Sequence, residues 1–122
     1  MEDLVLVNFI THRKKGLGPE HRELMRREYA TYLHELKIKT TPFFSMRERV
    51  LTVVYKRRRF RKLAGNDLKF MFLELVKYCK TKGIKNLYIP FYLLVIEGFT
   101  REFLSMLVDV VFEGSGIKVK VK

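Results

Sequence analysis

The residues in this chain best suited to chemistry are its cations. The stretch Arg47 to Lys62 holds eight basic residues against one acid, Glu48, and a second knot, His12-Arg13-Lys14-Lys15, contains no acid at all. Guanidinium and ammonium groups at this density bind polyanions. They neutralise phosphates, release the counterions condensed on a nucleic-acid backbone and give affinity without reading sequence. The whole chain leans the same way, with 25 Lys and Arg against 13 Asp and Glu, formally +12 over 122 residues. A generally basic, solvated surface would raise the same total, but it would not gather the charge into two knots. Aromatic rings stand among the charges, Phe60 inside Lys56 to Lys62 and Tyr55 just before it. Bases stack on such rings for about 1–3 kcal/mol each, while rings at the foot of a loop also serve simply to anchor it to a core.

The remaining reactive side chains do not assemble into a catalytic set. A nuclease or metal centre needs clustered carboxylates or histidines. Asp3, Asp67 and Asp109 are far apart, and Asp109 falls among apolar residues that read as core. His12, His21 and His34 lack ligand spacing, and His12 reads more simply as a solvated histidine. Cys79, the single cysteine, falls on an apolar helical stripe and reads as core rather than nucleophile. A lone cysteine forms no intramolecular disulfide and suits a reducing compartment. The first residues are acidic, unlike a secretory leader, and no apolar run approaches the length of a membrane span. The expectation is a soluble, cytoplasmic, single-domain protein over 1–122, with no cofactor, no metal and no membrane partner.

These charges must be positioned by regular elements. Leu4 to Ile10 is apolar on both faces, as a doubly buried strand is. A basic, Gly-containing loop follows, and Pro19 opens a helix whose apolar residues run to an end near Leu36. Residues 37–49 read as a loop around Pro42, with room for a short strand. Val50 to Tyr55 is a second buried strand. Gly65-Asn66-Asp67 starts a helix striped by Leu68, Phe72, Leu75, Val76 and Cys79 and ended by Gly83. Ile84 to Pro90 reads as a third strand and Tyr92 to Phe99 as an apolar connector. Thr100 caps a last helix, stopped by Gly114 and Gly116. Ile117 to Lys122 alternates apolar residues with lysine, an edge strand whose charges discourage pairing. This alternation predicts an α/β fold, a mostly parallel sheet with helices packed on its faces.

Ligands of such sheets gather outside the carboxyl ends of the strands. Both knots belong there, since Arg13 to Lys15 follow the first strand and Lys56 to Lys62 follow the second. The helix starts after Gly18 and Gly65 would add positive potential at the same rim, the first tempered by Glu20 and Glu23.

Several short motifs within this frame carry a family likeness. Val7-Asn8 resembles the V-N pair on the first strand of macro domains, the ADP-ribose-binding fold that includes ADP-ribose phosphate-processing enzymes. Gly16-Leu17-Gly18 before a helix is similar to that family's G-x-G entry. From Leu73 to Lys122 the cadence is also similar: helix, glycine, a buried strand ending in Ile89-Pro90, a loop, a helix and a final strand. The resemblance implies a macro-domain-like scaffold in which Asn8, Gly16, Gly18 and Gly98 are the vestige of a ligand loop. The sequence departs from the family where the nucleotide would sit. Leu93 and Val95 stand where the family uses glycine to let the backbone approach a diphosphate, Thr11 stands where a second asparagine is expected, and Glu97 is the only carboxylate between Tyr92 and Phe99. Some divergent macro domains bind RNA.

The resulting expectation is a non-enzymatic nucleic-acid-binding protein, RNA favoured over DNA because no recognition helix is evident and single strands suit a basic rim with rings. Its contacts are Arg13, Lys14, Lys15, Lys56, Arg57, Arg58, Arg59, Phe60, Arg61 and Lys62, extended by Arg22, Arg26, Arg27 and Tyr55. Two alternatives stay open: a macro domain that binds or hydrolyses ADP-ribose, and an interaction module that docks an acidic protein or assembles with itself through an exposed Tyr92 to Ile96.

Overall fold

Val5–Ile10 (β1), apart from Asn8, and Val50–Val54 (β3) are runs of β-branched and other apolar side chains, and a strand apolar on both faces needs cover on both. A computed structural model describes residues 4–10, 31, 34–35, 38–39, 41–55, 64–95 and 97–122, and in it every residue of β3 is buried. With Phe43–Arg47 (β2), Asn86–Ile89 (β4) and Lys118–Val121 (β5) these strands form a five-stranded sheet of order β2-β3-β1-β4-β5. Neighbours β3, β1, β4 and β5 run parallel, and β2 alone is antiparallel, paired with β3 from Phe43↔Val54 to Arg47↔Val50. The fold is α/β with a mostly parallel sheet.

Strand β2 turns the ambiguous stretch 37–49 into an edge hairpin. Its connection to β3 is the pair Glu48 and Arg49, with φ of 50° and 62°. Two successive positive φ values match the strand twist of a tight hairpin, but that conformation disfavours side chains with a Cβ, so Glu-Arg gives no turn signal. The helix before it reaches Ile38, where Lys39 N–H still donates to the Glu35 carbonyl at 2.8 Å. It therefore passes the expected end at Leu36.

Gly65–Lys82 (α1) begins where the Asp67 carboxylate accepts from Ala64 N–H at 3.2 Å and ends at Gly83, whose φ of 71° lets its N–H close on the last turn. The four-residue turn Tyr92–Val95 (α2) follows β4, and Arg101–Phe112 (α3) starts at Thr100, whose hydroxyl accepts from Phe103 N–H at 3.1 Å. The β3–α1–β4 and β4–α3–β5 connections step the same way across the sheet. Right-handed crossovers then put α1 and α3 on one face, where Phe72 and Phe112 meet at 6.3 Å. Gly65 permits a close approach at the other end, since a Cβ there would stand 3.1 Å from the Phe103 ring. The core lies between this helical layer and the sheet, built on Phe9, Leu51, Leu68, Phe72, Leu75 and Leu104.

Candidate nucleic-acid interface at the carboxyl rim

Strand polarity decides where the two basic segments attach. In the β1–β3 ladder the last residues, Ile10 and Val54, are register partners, so the chain leaves the sheet twice at one rim, one strand spacing apart. That spacing is about 4.8 Å. The cations themselves (Arg13, Lys14, Lys15, Lys56, Arg57, Arg58, Arg59, Arg61, Lys62), with Phe60, the expected extensions Arg22, Arg26 and Arg27, and Gly16 and Gly18, lie outside the described residues. The described residues hold the anchors of both segments.

Two candidate site residues prove to be core. Tyr55 is 2% exposed, so its ring fixes the end of β3 and offers no face to a base. Asn8 is not on a loop at all. It sits fully buried in β1, where its amide donates to the hydroxyl of its register partner Thr52 at 3.4 Å. The last member of the vestigial loop, Gly98, does occupy a turn, with φ of 100°.

The connector after β4 is likewise closed. Leu93 and Leu94 are buried in the core, which leaves Tyr92 and Val95 as exposed side chains and removes most of an interaction surface over Tyr92 to Ile96; Ile96 lies outside the described residues. Backbone donors are taken as well. Leu93 N–H bonds the Pro90 carbonyl, Leu94 and Val95 N–H bond that of Phe91, Glu97 N–H that of Leu94, and Gly98 N–H that of Val95. A diphosphate cradle needs amides pointing outward. These five point into the turn. Sequence reading missed the burial of Glu97, which is 5% exposed at this rim; an acid inside an otherwise apolar run was the available signal.

No constellation for metal or nucleophilic chemistry appears among the described residues, which hold no group of three or more His, Cys, Asp or Glu able to grip a cation. Asp67 caps α1, His34 is exposed, and Asp109 is exposed on the outer face of α3 rather than packed in the core. Cys79 is buried, and burial pushes its thiol from 9.0 up to about 12. A thiol-reactive dye is therefore expected to label the folded protein negligibly at pH 8 and fully after denaturation. The linkage has a definite sign: the unfolded thiol loses its proton near pH 9 while the folded one keeps it, so unfolded chains bind fewer protons and stability falls from about pH 9 to about 12. Urea midpoints across that range check it, with Cys79→Ala flattening the decline. Among the described residues no helix is long and apolar enough to cross a membrane.

No family model matches this chain, and no curated protein does. Among solved structures it is similar to the crystal structure of a Bacteroides thetaiotaomicron protein, a target of the Northeast Structural Genomics Consortium. The TM-score is 0.63 at 10% identity, covering 99% of this chain and 89% of that one. At that identity the likeness shows a shared α/β fold.

Proposed function

We propose that this protein binds nucleic acid without catalysis, gripping the phosphate backbone of single-stranded RNA along the carboxyl rim of a macro-domain-like sheet. The observation that carries the reading is the register Ile10↔Val54. It roots both cation-rich segments at neighbouring strand ends, the place where open parallel sheets take their ligands. The run of α1, Gly83, a strand ending in Ile89-Pro90, a turn, α3 and β5 supports the macro-like scaffold. The internally bonded amides of Leu93, Leu94, Val95, Glu97 and Gly98 weigh against ADP-ribose as its ligand.

Filter binding of nuclease-treated protein to single-stranded RNA, single-stranded DNA and duplexes across a salt series tests the reading. With about six phosphates neutralised, log affinity for a single strand falls with log salt at a slope of about −4, and RNA binds tightest. A slope near zero overturns the proposal. Micromolar binding of ADP-ribose in a calorimeter would replace it with a ligand-sensing macro domain.

A further inference from the structure

The outer side of the α1–α3 layer, away from the sheet, carries an apolar patch. Phe70 and Leu73 on α1 and Met106 and Val110 on α3 are 43–55% exposed. Such residues scattered singly mean little, but these four sit on two adjacent helices and are flanked by charge of opposite sign. Exposed Lys69, Lys77 and Lys80 accompany the α1 pair, and exposed Glu102, Asp109 and Glu113 accompany the α3 pair. By helical spacing Asp67 and Glu74 share the flank of Tyr78, which stacks on Phe44 of β2 at 5.1 Å, so they face away from α3; Glu74 also bonds Lys77 at 3.2 Å, which leaves the positive charge of this helix to Lys69 and Lys80. Arg101 falls on the flank of α3 away from α1 by the same spacing.

We infer that this face is the interface of a twofold homodimer in which α1 of each copy packs on α3 of the other. Charge complementarity identifies the occupant as a second copy. A face positive along one helix and negative along its neighbour is complementary to itself when the twofold axis runs along the helices, because that axis sets lysines over acids. An axis across the helices would set lysine on lysine. Both helices follow parallel strands, so they run in the same direction. Gly65 lies against Phe103 and Phe72 against Phe112, so the axis brings Lys69 of one copy to the height of Asp109 of the other. Two helices of 18 and 12 residues offer a footprint at the lower end of specific interfaces, where about 1,200 Å² is buried in total, which suits a micromolar dimer.

The same axis leaves both carboxyl rims at one end of the dimer. If the proposed RNA reading holds, one strand could engage two basic rims at raised effective concentration; the dimer itself does not depend on that reading.

Sedimentation equilibrium of nuclease-treated protein at moderate salt is the test. The expected result is a reversible dimer, weakened at least about tenfold by Val110→Glu at the centre of the patch. Reversing Lys69 and Lys80 to Glu weakens it comparably, and adding Asp109→Lys and Glu113→Lys to that variant restores it. These positions are exposed, so circular dichroism should stay unchanged. A monomer at every concentration, or a dimer indifferent to Val110→Glu or not rescued by the charge swap, overturns the inference. Nucleic-acid affinity measured on the same samples separates this failure from that of the rim.

Discussion

Replacing Arg57, Arg58 and Arg59 together by glutamate is expected to lower affinity for single-stranded RNA by on the order of a thousandfold, because three attractions to phosphate become three repulsions. With three fewer phosphates neutralised, the salt slope should also flatten by about 2. Charge alone does not distinguish a rim from a generally basic surface, so the informative control carries the same change elsewhere. Lys82 ends α1, Lys85 precedes β4 and Lys118 opens β5, where its N–H donates to the Lys85 carbonyl at 2.8 Å. All three are exposed at the amino end of the parallel strands. Converting them to glutamate alters net charge equally and is expected to weaken binding no more than about tenfold, through the long-range field, which salt screens beyond about 10 Å. Equal losses from the two triple variants would mean that phosphate is held by diffuse charge, and the rim would be abandoned.

Charge clusters are visible in a sequence because they are local. Their relation to the sheet is visible too, because a strand apolar on both faces reads as an interior parallel strand and its carboxyl end follows from chain direction. What a side chain near the rim faces is not local. Tyr55 and Asn8 stand beside functional-looking neighbours in the sequence, yet both are buried in the core, Asn8 against its sheet partner Thr52 more than forty positions away. Leu93 and Leu94 read as a connector because no periodicity can develop over four residues, and only the pull of the core decides that they form a buried turn.

The fold shows the same division. Long, strongly patterned elements were readable to within a residue or two: α1 from Gly65 to Gly83, α3 from its Thr100 cap, and β1. Strand β2 was obscured by an edge position that needs burial on fewer sides, by Pro42 just ahead of it and by a turn without glycine or asparagine. The third strand came out shorter than expected, Asn86–Ile89 instead of Ile84 to Pro90, because Ile84 N–H still bonds back to the Cys79 carbonyl beyond the helix end. Asp109 misled in the other direction. Its sequence neighbours Val108 and Val110 are apolar, but at about 100° per residue an interior position is set by residues three and four away. Leu104, Leu107, Val108 and Val111 define the buried stripe and leave Asp109 outside it.

Phe72→Ala is expected to be the most damaging single truncation in this helical layer. The Phe72 ring is fully buried and stands 6.5 Å from Phe9 of β1 and 6.3 Å from Phe112 of α3. It is where the central strand and both long helices meet. Removing a buried phenylalanine ring costs about 3–5 kcal/mol, the lost transfer energy plus the cavity left by partners that cannot follow. That is a large share of the roughly 5–15 kcal/mol that holds a domain together, so the variant should unfold at much lower urea, with some loss of folded protein at 37 °C. Phe72→Leu keeps most of the volume and should cost about 1–2 kcal/mol. Two positions earlier, Phe70 is half exposed, and its replacement by alanine in dilute solution, below the concentration at which chains pair, should shift the midpoint by no more than about 0.5 kcal/mol. Urea melts of the three variants at one protein concentration order these effects. Should Phe72→Ala prove as mild as Phe70→Ala, α1 would not be seated on β1 through this ring, and the layer that directs β3 and β4 to a common rim would need another keystone.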